Sequence, residues 1–379
     1  MPVVTCIEDL RQMARKRVAK AVFEYVDGGA YTEATLRANS DDLEALALRQ
    51  RVGVNVDKRS TRSTMAGFDV AMPVALAPVG LTGLNWADGE ILAARAAQRF
   101  GLPYTLSTMS ICSIEDVAGA VQQPFWFQLY VMRDRAFSAS LIERAKSAKC
   151  SALVLTLDLQ VQGQRHRDLK NGLMVPPRLT ALTVLDVLGK PSWRLNMATS
   201  TRKSFGNLAG FGKDAGSLAT LSEWISKQFD PPLSWEDVAW VKKLWGGKLI
   251  LKGILDAEDA KLAADCGADA IVVSNHGGRQ LDGAVSSIRA LPEIVEAVKG
   301  RTEVWFDGGI RTGQGILKAL ALGARGCMIG RAYAYGLGAM GEAGVTRALE
   351  ILHKELDVTM GLCGIRDVKD ASPAILRRG

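Results

Sequence analysis

The chain has 379 residues, 48% of them apolar and 23% charged, with a net charge of +7. That length can bury a full core, and the composition excludes a disordered, collagen-like or low-complexity protein. Six scattered cysteines without a CxxC pair point to a reducing compartment and to small buried roles, and argue against a zinc site.

Apolar residues Leu10, Met13, Ala14, Val18, Ala21, Val22 and Tyr25 recur at helical spacing and predict one helix over 8–25, closed by the C-cap signal Asp27-Gly28-Gly29. Glu8, Asp9 and Arg11 come too early for a signal peptide. No run reaches the roughly 18 apolar residues that span a bilayer, so a cytoplasmic protein is expected. The face bearing Arg11, Arg15, Lys16, Arg17 and Lys20 reads as solvated. Further helices are expected over 32–39 and 41–46, giving an N-terminal helical segment over 1–70.

Short apolar runs then alternate with helical patterns. The runs lie at 74–77, 104–107, 126–129, 153–157, 249–251, 270–273, 304–306 and 327–329, with amphipathic helices at 89–100, 114–121, 136–148, 257–266 and 312–322. Strand followed by helix, eight times over, predicts an α/β fold, a (β/α)8 TIM barrel over 71–335, with C-terminal helices over 336–379. A doubly wound sheet is the competing arrangement. The interval between Leu157 and Leu249 is far longer than the others. It implies an insertion, about 175–235, after strand 4 and over the C-terminal face of the barrel. From Lys170 to Asp214 this stretch has seven basic residues (Lys170, Arg178, Lys190, Arg194, Arg202, Lys203, Lys213) against Asp186 and Asp214. Without a zinc finger, RRM-like motif or basic zipper, that excess does not predict nucleic-acid binding.

Barrel enzymes place catalytic groups at the C-terminal strand ends, and the unusual residues fall there. Strand 1 ends at Val79-Gly80, strand 2 at Ser107-Thr108-Met109, strand 3 at Gln128-Leu129-Tyr130, and strand 4 at Thr156-Leu157-Asp158 with Arg165 beyond. Strand 5 ends at Lys252, and strand 6 at Ser274-Asn275-His276-Gly277-Gly278-Arg279. There a histidine and an arginine among glycines can set a proton acceptor beside an anion clamp. The chain has only three histidines. Of the others, His166 reads as a loop residue near the mouth and His353 as structural. Strands 7 and 8 end in Asp307-Gly308-Gly309-Ile310-Arg311 and Gly330-Arg331, glycine-arginine turns ahead of helices that suit a phosphate.

The stretch Ser274-Asn275-His276-Gly277-Gly278-Arg279-Gln280-Leu281-Asp282 resembles the FMN-dependent 2-hydroxy acid dehydrogenases and oxidases. Asp27-Gly28-Gly29-Ala30, Trp126-Phe127-Gln128-Leu129-Tyr130 and Leu320-Ala321-Leu322-Gly323-Ala324 carry the same resemblance, which covers nearly the whole chain. The quinone-linked L-lactate and mandelate dehydrogenases of bacteria are the nearest type. The resemblance implies FMN as cofactor and oxidation of an L-2-hydroxy acid to the 2-keto acid. It makes His276 the base and Asp158 its partner. Arg165 and Arg279 would hold the substrate carboxylate, with Tyr25 adding a hydrogen bond and Tyr130 bonding the hydroxyl. Lys252 would stand near flavin N1 and O2. Val79, Gly80, Ser107, Gln128, Thr156, Lys252 and Ser274 would contact the ring or ribityl chain, and Asp307, Gly309, Arg311, Gly330 and Arg331 the ribityl and phosphate.

Whether the base takes the α-proton or the hydroxyl proton stays open. Resembling oxidases often carry Ala where this chain has Gly80, which favours a dehydrogenase passing electrons to quinone or another non-oxygen acceptor over an oxidase giving H2O2. Met109 stands where glycolate-specific relatives have Trp. The extra room suits lactate first, and mandelate or other larger acids as well. The insertion's Leu179, Leu182, Val184, Leu185, Val187, Leu188 and Trp193 lie among basic residues and suit an anionic membrane surface, such as the cytoplasmic face of the inner membrane, with an active-site lid as the alternative. Relatives imply a homotetramer. A non-redox FMN barrel isomerase and a phosphate-binding lyase without flavin are the readings from other classes.

Overall fold

The computed structural model describes residues 3–172, 181–208 and 232–377. The apolar stripe that opens the chain is carried by two helices rather than one, α1 (Ile7–Arg17) and α2 (Lys20–Asp27). Val18 and Ala19 between them are extended, with ψ of 148° and 137°. Both are buried, so the apolar spacing passes through the corner and hides it. The reverse holds next. One helix, α3 (Ala34–Ala45), replaces the two expected over 32–39 and 41–46. Asn39 and Asp42, residue types that commonly stop helices by bonding their own backbone, bond to the barrel instead. Asn39 pairs with Asn275 and Asp42 accepts from Ser286 Oγ at 2.6 Å.

The segment over 1–70 is not purely helical. It ends in a hairpin, β1 (Ser63–Met65) against β2 (Phe68–Val70), joined by Ala66 and Gly67 at φ 48° and 82°, the backbone a two-residue hairpin turn requires. The hairpin sits at the N-terminal end of the barrel. Met65 packs on Gly326, where an added Cβ would meet its Cε at 2.6 Å, and the Phe68 ring lies 6.1 Å from that of Trp126.

The expected barrel strands are all present: β3 (Val74–Leu76), β4 (Thr105–Ser107), β5 (Trp126–Leu129), β6 (Ala152–Thr156), β7 (Lys248–Ile254), β8 (Ala270–Val273), β9 (Glu303–Asp307) and β10 (Gly326–Ile329). They pair in parallel in the order β3-β10-β9-β8-β7-β6-β5-β4, and a parallel bridge from Leu76 to Tyr104 closes the ring. Nearly all their residues are buried, as strands covered on both faces must be. Helices over 235–245 and 287–298, whose bounds the sequence pattern does not define, stand before β7 and after β8; the latter carries Pro292 inside it.

The C-terminal helices Arg331–Met340 and Glu342–Cys363 wrap back on α1. This packing brings the end of α2 to the C-terminal rim of the barrel. In the insertion the described residues form helices Ala181–Leu188 and Pro191–Thr199. Arg178, Leu179, Lys213 and Asp214 lie outside the described residues. No helix among the described residues is long and apolar enough to cross a membrane.

Candidate active site

A cavity opens at the C-terminal rim of the barrel. Its wall includes Tyr25, Val79, Gly80, Ser107, Met109, Tyr130, Arg165, Lys252, His276, Arg279, Asp307, Gly309, Arg311, Gly330 and Arg331. These come from seven strand ends, the loop after β6, and α2. Gln128, Thr156, Ser274 and Asp158 are not on this wall and lie behind it.

His276 sits past the end of β8 at φ 57°, in the left-handed region. Its N–H donates to Ser274 Oγ at 3.0 Å, and its Nδ1 lies 2.8 Å from Asp158 Oδ1. The carboxylate fixes the proton on Nδ1 and leaves Nε2 to act as acceptor. Burial lowers the histidine below its usual value against the upward pull of Asp158, so the ring is neutral at neutral pH. Burial would raise the Asp158 carboxyl, but His276 and then Lys252 outweigh it and hold it below its ordinary value. Asp158 reaches this place because β7 bulges between Lys252 and Ile254. At the bulge Gly253 has φ 100°, and a Cβ there would strike Asp158 Cγ at 2.6 Å.

The same bulged strand delivers Lys252, whose Nζ lies 2.9 Å from Asp307 Oδ2 and donates to Ser274 Oγ at 3.1 Å. Burial opposes its charge, but Asp307 and Asp158 raise its pKa overall. The ammonium is therefore a fixed cation at the floor of the cavity.

Two guanidinium groups converge beside His276. Arg279 donates to the carbonyls of Tyr25 and, at 3.0 Å, Gly28, and its Cζ lies 4.8 Å over the Tyr25 ring. Burial, then Arg165, lowers it to about 9, still charged at neutral pH. Arg165 is held by the Arg279 carbonyl and by Gln280 Oε1, both at 3.4 Å. Gln280 Nε2 in turn donates to the carbonyls of Asp158 and Val161. One glutamine therefore ties the Asp158 loop to the Arg279 turn. Burial raises the Tyr130 phenol, with Asp158 adding to the effect, so Tyr130 remains a hydroxyl donor.

Arg331 is more structural than its place in a glycine-arginine turn suggests. Its nitrogens donate to the carbonyls of Val26, Gly277 and Gly28 at 2.9, 2.9 and 2.8 Å, which leaves two of its five N–H groups for a ligand. Arg311 donates to Ile310 O at 2.7 Å and lies 5.6 Å over the Tyr335 ring.

Several expectations for the insertion change. Trp193 is packed rather than presented outward, with its indole N–H donating to Leu84 O at 2.8 Å. Arg202 is paired with Asp88 and Asp116, so its charge is matched. His166 heads a short helix, His166–Lys170, with its ring 5.8 Å from that of Tyr31. His353 bonds Thr61 Oγ1 within the long C-terminal helix.

Asp27, read from sequence as part of a helix stop and a family motif, receives Arg11, Arg167 and Tyr335. Sequence reasoning gave no role to four further residues. Asp168 is buried on the cavity wall with a raised pKa caused by burial. Phe205 reaches the same wall from the insertion. Asn207 clips that segment to the loop after β4, bonding Ile114 N, Ser107 O and Ser110 Oγ. Asn39, inside α3, reaches the His276 turn through Asn275. Single polar residues inside helices or irregular segments leave no periodic signal.

Among the described residues, the buried side-chain atoms Gln128 Nε2 and Thr156 Oγ1, near the cavity, have no hydrogen-bond partner. A buried donor left in this way is costly. They lie at the ends of neighbouring strands below a rim of glycines and cations. The set suits a planar heteroatom-rich ring with an anionic tail.

Known proteins share this architecture. The model of the FMN-dependent dehydrogenase family matches residues 14–378. An L-lactate dehydrogenase of Caulobacter vibrioides (strain NA1000 / CB15N) is 48% identical over 375 residues, covering 99% of this chain and 98% of its own. An L-lactate dehydrogenase of Pseudomonas aeruginosa (strain LESB58) is 45% identical over 377 residues, 99% of both chains. A solved structure of (S)-mandelate dehydrogenase, described as a monotopic membrane protein, superposes with a TM-score of 0.95 at 36% identity over 100% of both chains. One of mandelate oxidase with (S)-2-phenylpropionate gives 0.83 at 37% over 99% of this chain and 98% of that one.

Proposed function

Because the chain belongs to the FMN-dependent dehydrogenase family, we propose that it oxidises L-2-hydroxy acids, L-lactate foremost, and passes the electrons to a quinone or another non-oxygen acceptor. The observation that carries this reading is the His276–Asp158 pair at 2.8 Å, opening into the same cavity as Arg165 and Arg279.

The residues fit FMN. Gln128 Nε2 and Thr156 Oγ1 are the unpaired atoms a flavin ring would satisfy. Val79, Gly80, Ser107, Lys252 and Ser274 would complete the ring and ribityl site. Asp307, Gly309, Arg311, Gly330 and the free N–H groups of Arg331 would hold ribityl and phosphate. Bound FMN supplies the acceptor for two electrons. The chain's own groups do the rest. Arg165 and Arg279 bind the substrate carboxylate, Tyr25 supports it, and Tyr130 donates to the hydroxyl. His276 Nε2 takes a proton, and Asp158 stabilises the imidazolium that results.

L-lactate leads because relatives at 45–48% identity bear that name. A second reading, mandelate, rests on the mandelate dehydrogenase structure at a TM-score of 0.95 and on the unbranched Met109 side chain, which can yield to a ring. For the acceptor, Gly80 is the feature at issue: a Cβ there would come within 3.2 Å of both Met109 Cβ and Tyr25 Oη. Peripheral attachment to an anionic membrane is supported by Leu182, Leu185, Leu188 and Leu195, which are 52–78% exposed, close to Lys190 and Arg194.

The test is a visible spectrum. Purified protein should absorb at about 450 nm as flavins do and bleach anaerobically with L-lactate. Mandelate, glycolate and longer 2-hydroxy acids form the panel, and quinone, dichlorophenolindophenol and oxygen are compared as acceptors. A colourless protein that free FMN cannot reconstitute would sink the proposal, and rapid reoxidation by oxygen would replace the dehydrogenase with an oxidase.

A further inference from the structure

His276, Gly277 and Gly278 are three successive left-handed residues, with φ of 57°, 65° and 73°. Two are glycines, for which this costs little. For His276, which carries a Cβ, it is unfavourable, so contacts around the turn have to hold it. Arg331 and Ala30 N bond the carbonyls of Gly277 and Gly278, and a further set runs through Asn275. Its Oδ1 accepts from Gly278 N at 3.1 Å, spanning the turn from within. Its Nδ2 donates to Val285 O at 3.1 Å. Both amide groups also face Asn39: Asn39 Nδ2 donates to Asn275 Oδ1, and Asn275 Nδ2 to Asn39 Oδ1, each at 2.8 Å.

Asn39 lies inside α3, where asparagine is a poor helix former, and is 1% exposed. Its Oδ1 takes a second bond, from Ser287 N at 3.2 Å. Its main chain is hemmed in too, since a Cβ on Gly309 would meet Asn39 O at 2.2 Å. One residue of the N-terminal segment therefore touches the turn that carries His276 and the turn that follows β9.

We propose that Asn39 is a positioning residue for the proton-accepting step: its amide pair with Asn275 locks the left-handed turn that aims His276 into the cavity and keeps that turn in register with the Asp307–Gly309 turn. This rests on the reading of His276 as the base. If Asn39 only docked α3, its loss would lower stability and leave the chemistry as it is.

Two variants and a control separate these outcomes. Asn39→Asp keeps the volume and removes the Nδ2 donor. Asn39→Ala removes the pair. Leu349→Ala, a fully buried site in the long C-terminal helix, lowers stability without touching the turn. Both Asn39 variants are expected to retain flavin absorbance and to lose about 10²-fold in kcat, the scale for a group displaced by about 1 Å. The acidic limb of their kcat/KM profile should shift, because Asp158, Lys252 and Arg165 surround the imidazole. A crystal structure of Asn39→Asp should show the Nδ1–Oδ1 distance to Asp158 lengthened. Variants that behave as Leu349→Ala does, with a lower Tm but unchanged kcat, acidic limb and His276–Asp158 distance, would overturn the proposal. If Asn39→Ala does not fold, Asn39→Asp decides. If no 2-hydroxy acid bleaches even the wild-type flavin, the functional reading has failed, and the crystal structure still judges the clamp.

Discussion

A base is useful only while it is uncharged, and at His276 burial lowers the pKa more than Asp158 raises it. The folded value lies below the ordinary one of about 6.5, so kcat/KM should climb as pH rises through a midpoint under that value and then level off. Asp158→Asn removes the upward pull. Its acidic limb should move to still lower pH while kcat falls by about 10²-fold or more; a limb that moved to higher pH would contradict the assigned pairing. His276→Ala should slow anaerobic flavin reduction by about 10²–10⁴-fold, the usual contribution of a positioned base, and near-normal turnover would end its assignment. Most residues on the cavity wall were legible in the sequence because glycines, cations and a rare histidine gather at strand ends. Asn39, Asp168 and Phe205 were not. Asn39 acts through a contact 236 positions away, Phe205 from an irregular segment, and Asp168 by burial on the wall from a short helix, and nothing in local spacing marks any of them.

The strands were readable because each is a short apolar run buried on both faces, a pattern that survives errors of a residue or two at the ends. Helix boundaries were not, for a physical reason visible at the α1–α2 corner and in α3. Apolar periodicity records which face is buried, and cap-type side chains stop a helix only if they bond their own backbone. The β7 bulge was also invisible, although Gly253 makes it possible. Gly253→Ala puts a Cβ into Asp158 at a positive φ. It should cost about 1–3 kcal/mol of stability and disturb Lys252 and Asp158 together, read as a lower Tm with loss of flavin reduction. On helix Ala181–Leu188, Leu182→Glu with Leu185→Glu should abolish pelleting with anionic vesicles and leave flavin reduction by L-lactate intact. If the unaltered protein never pellets with such vesicles, the attachment idea fails at that step.

Across the whole molecule, ligand and fold are linked. FMN that binds the folded chain alone stabilises it by about 2.7 kcal/mol at a free concentration 100-fold above Kd. Stripped protein should therefore melt lower and recover its Tm on adding FMN, while riboflavin, which lacks the phosphate, should restore less. The carbonyl of Gly28 accepts hydrogen bonds from Arg279 and Arg331, partners 251 and 303 positions further along the chain. A ribosome releases the tail of α2 long before either guanidinium has been synthesised. The pocket thus comes into being only when translation has passed residue 331, and shorter nascent fragments should show no flavin reduction.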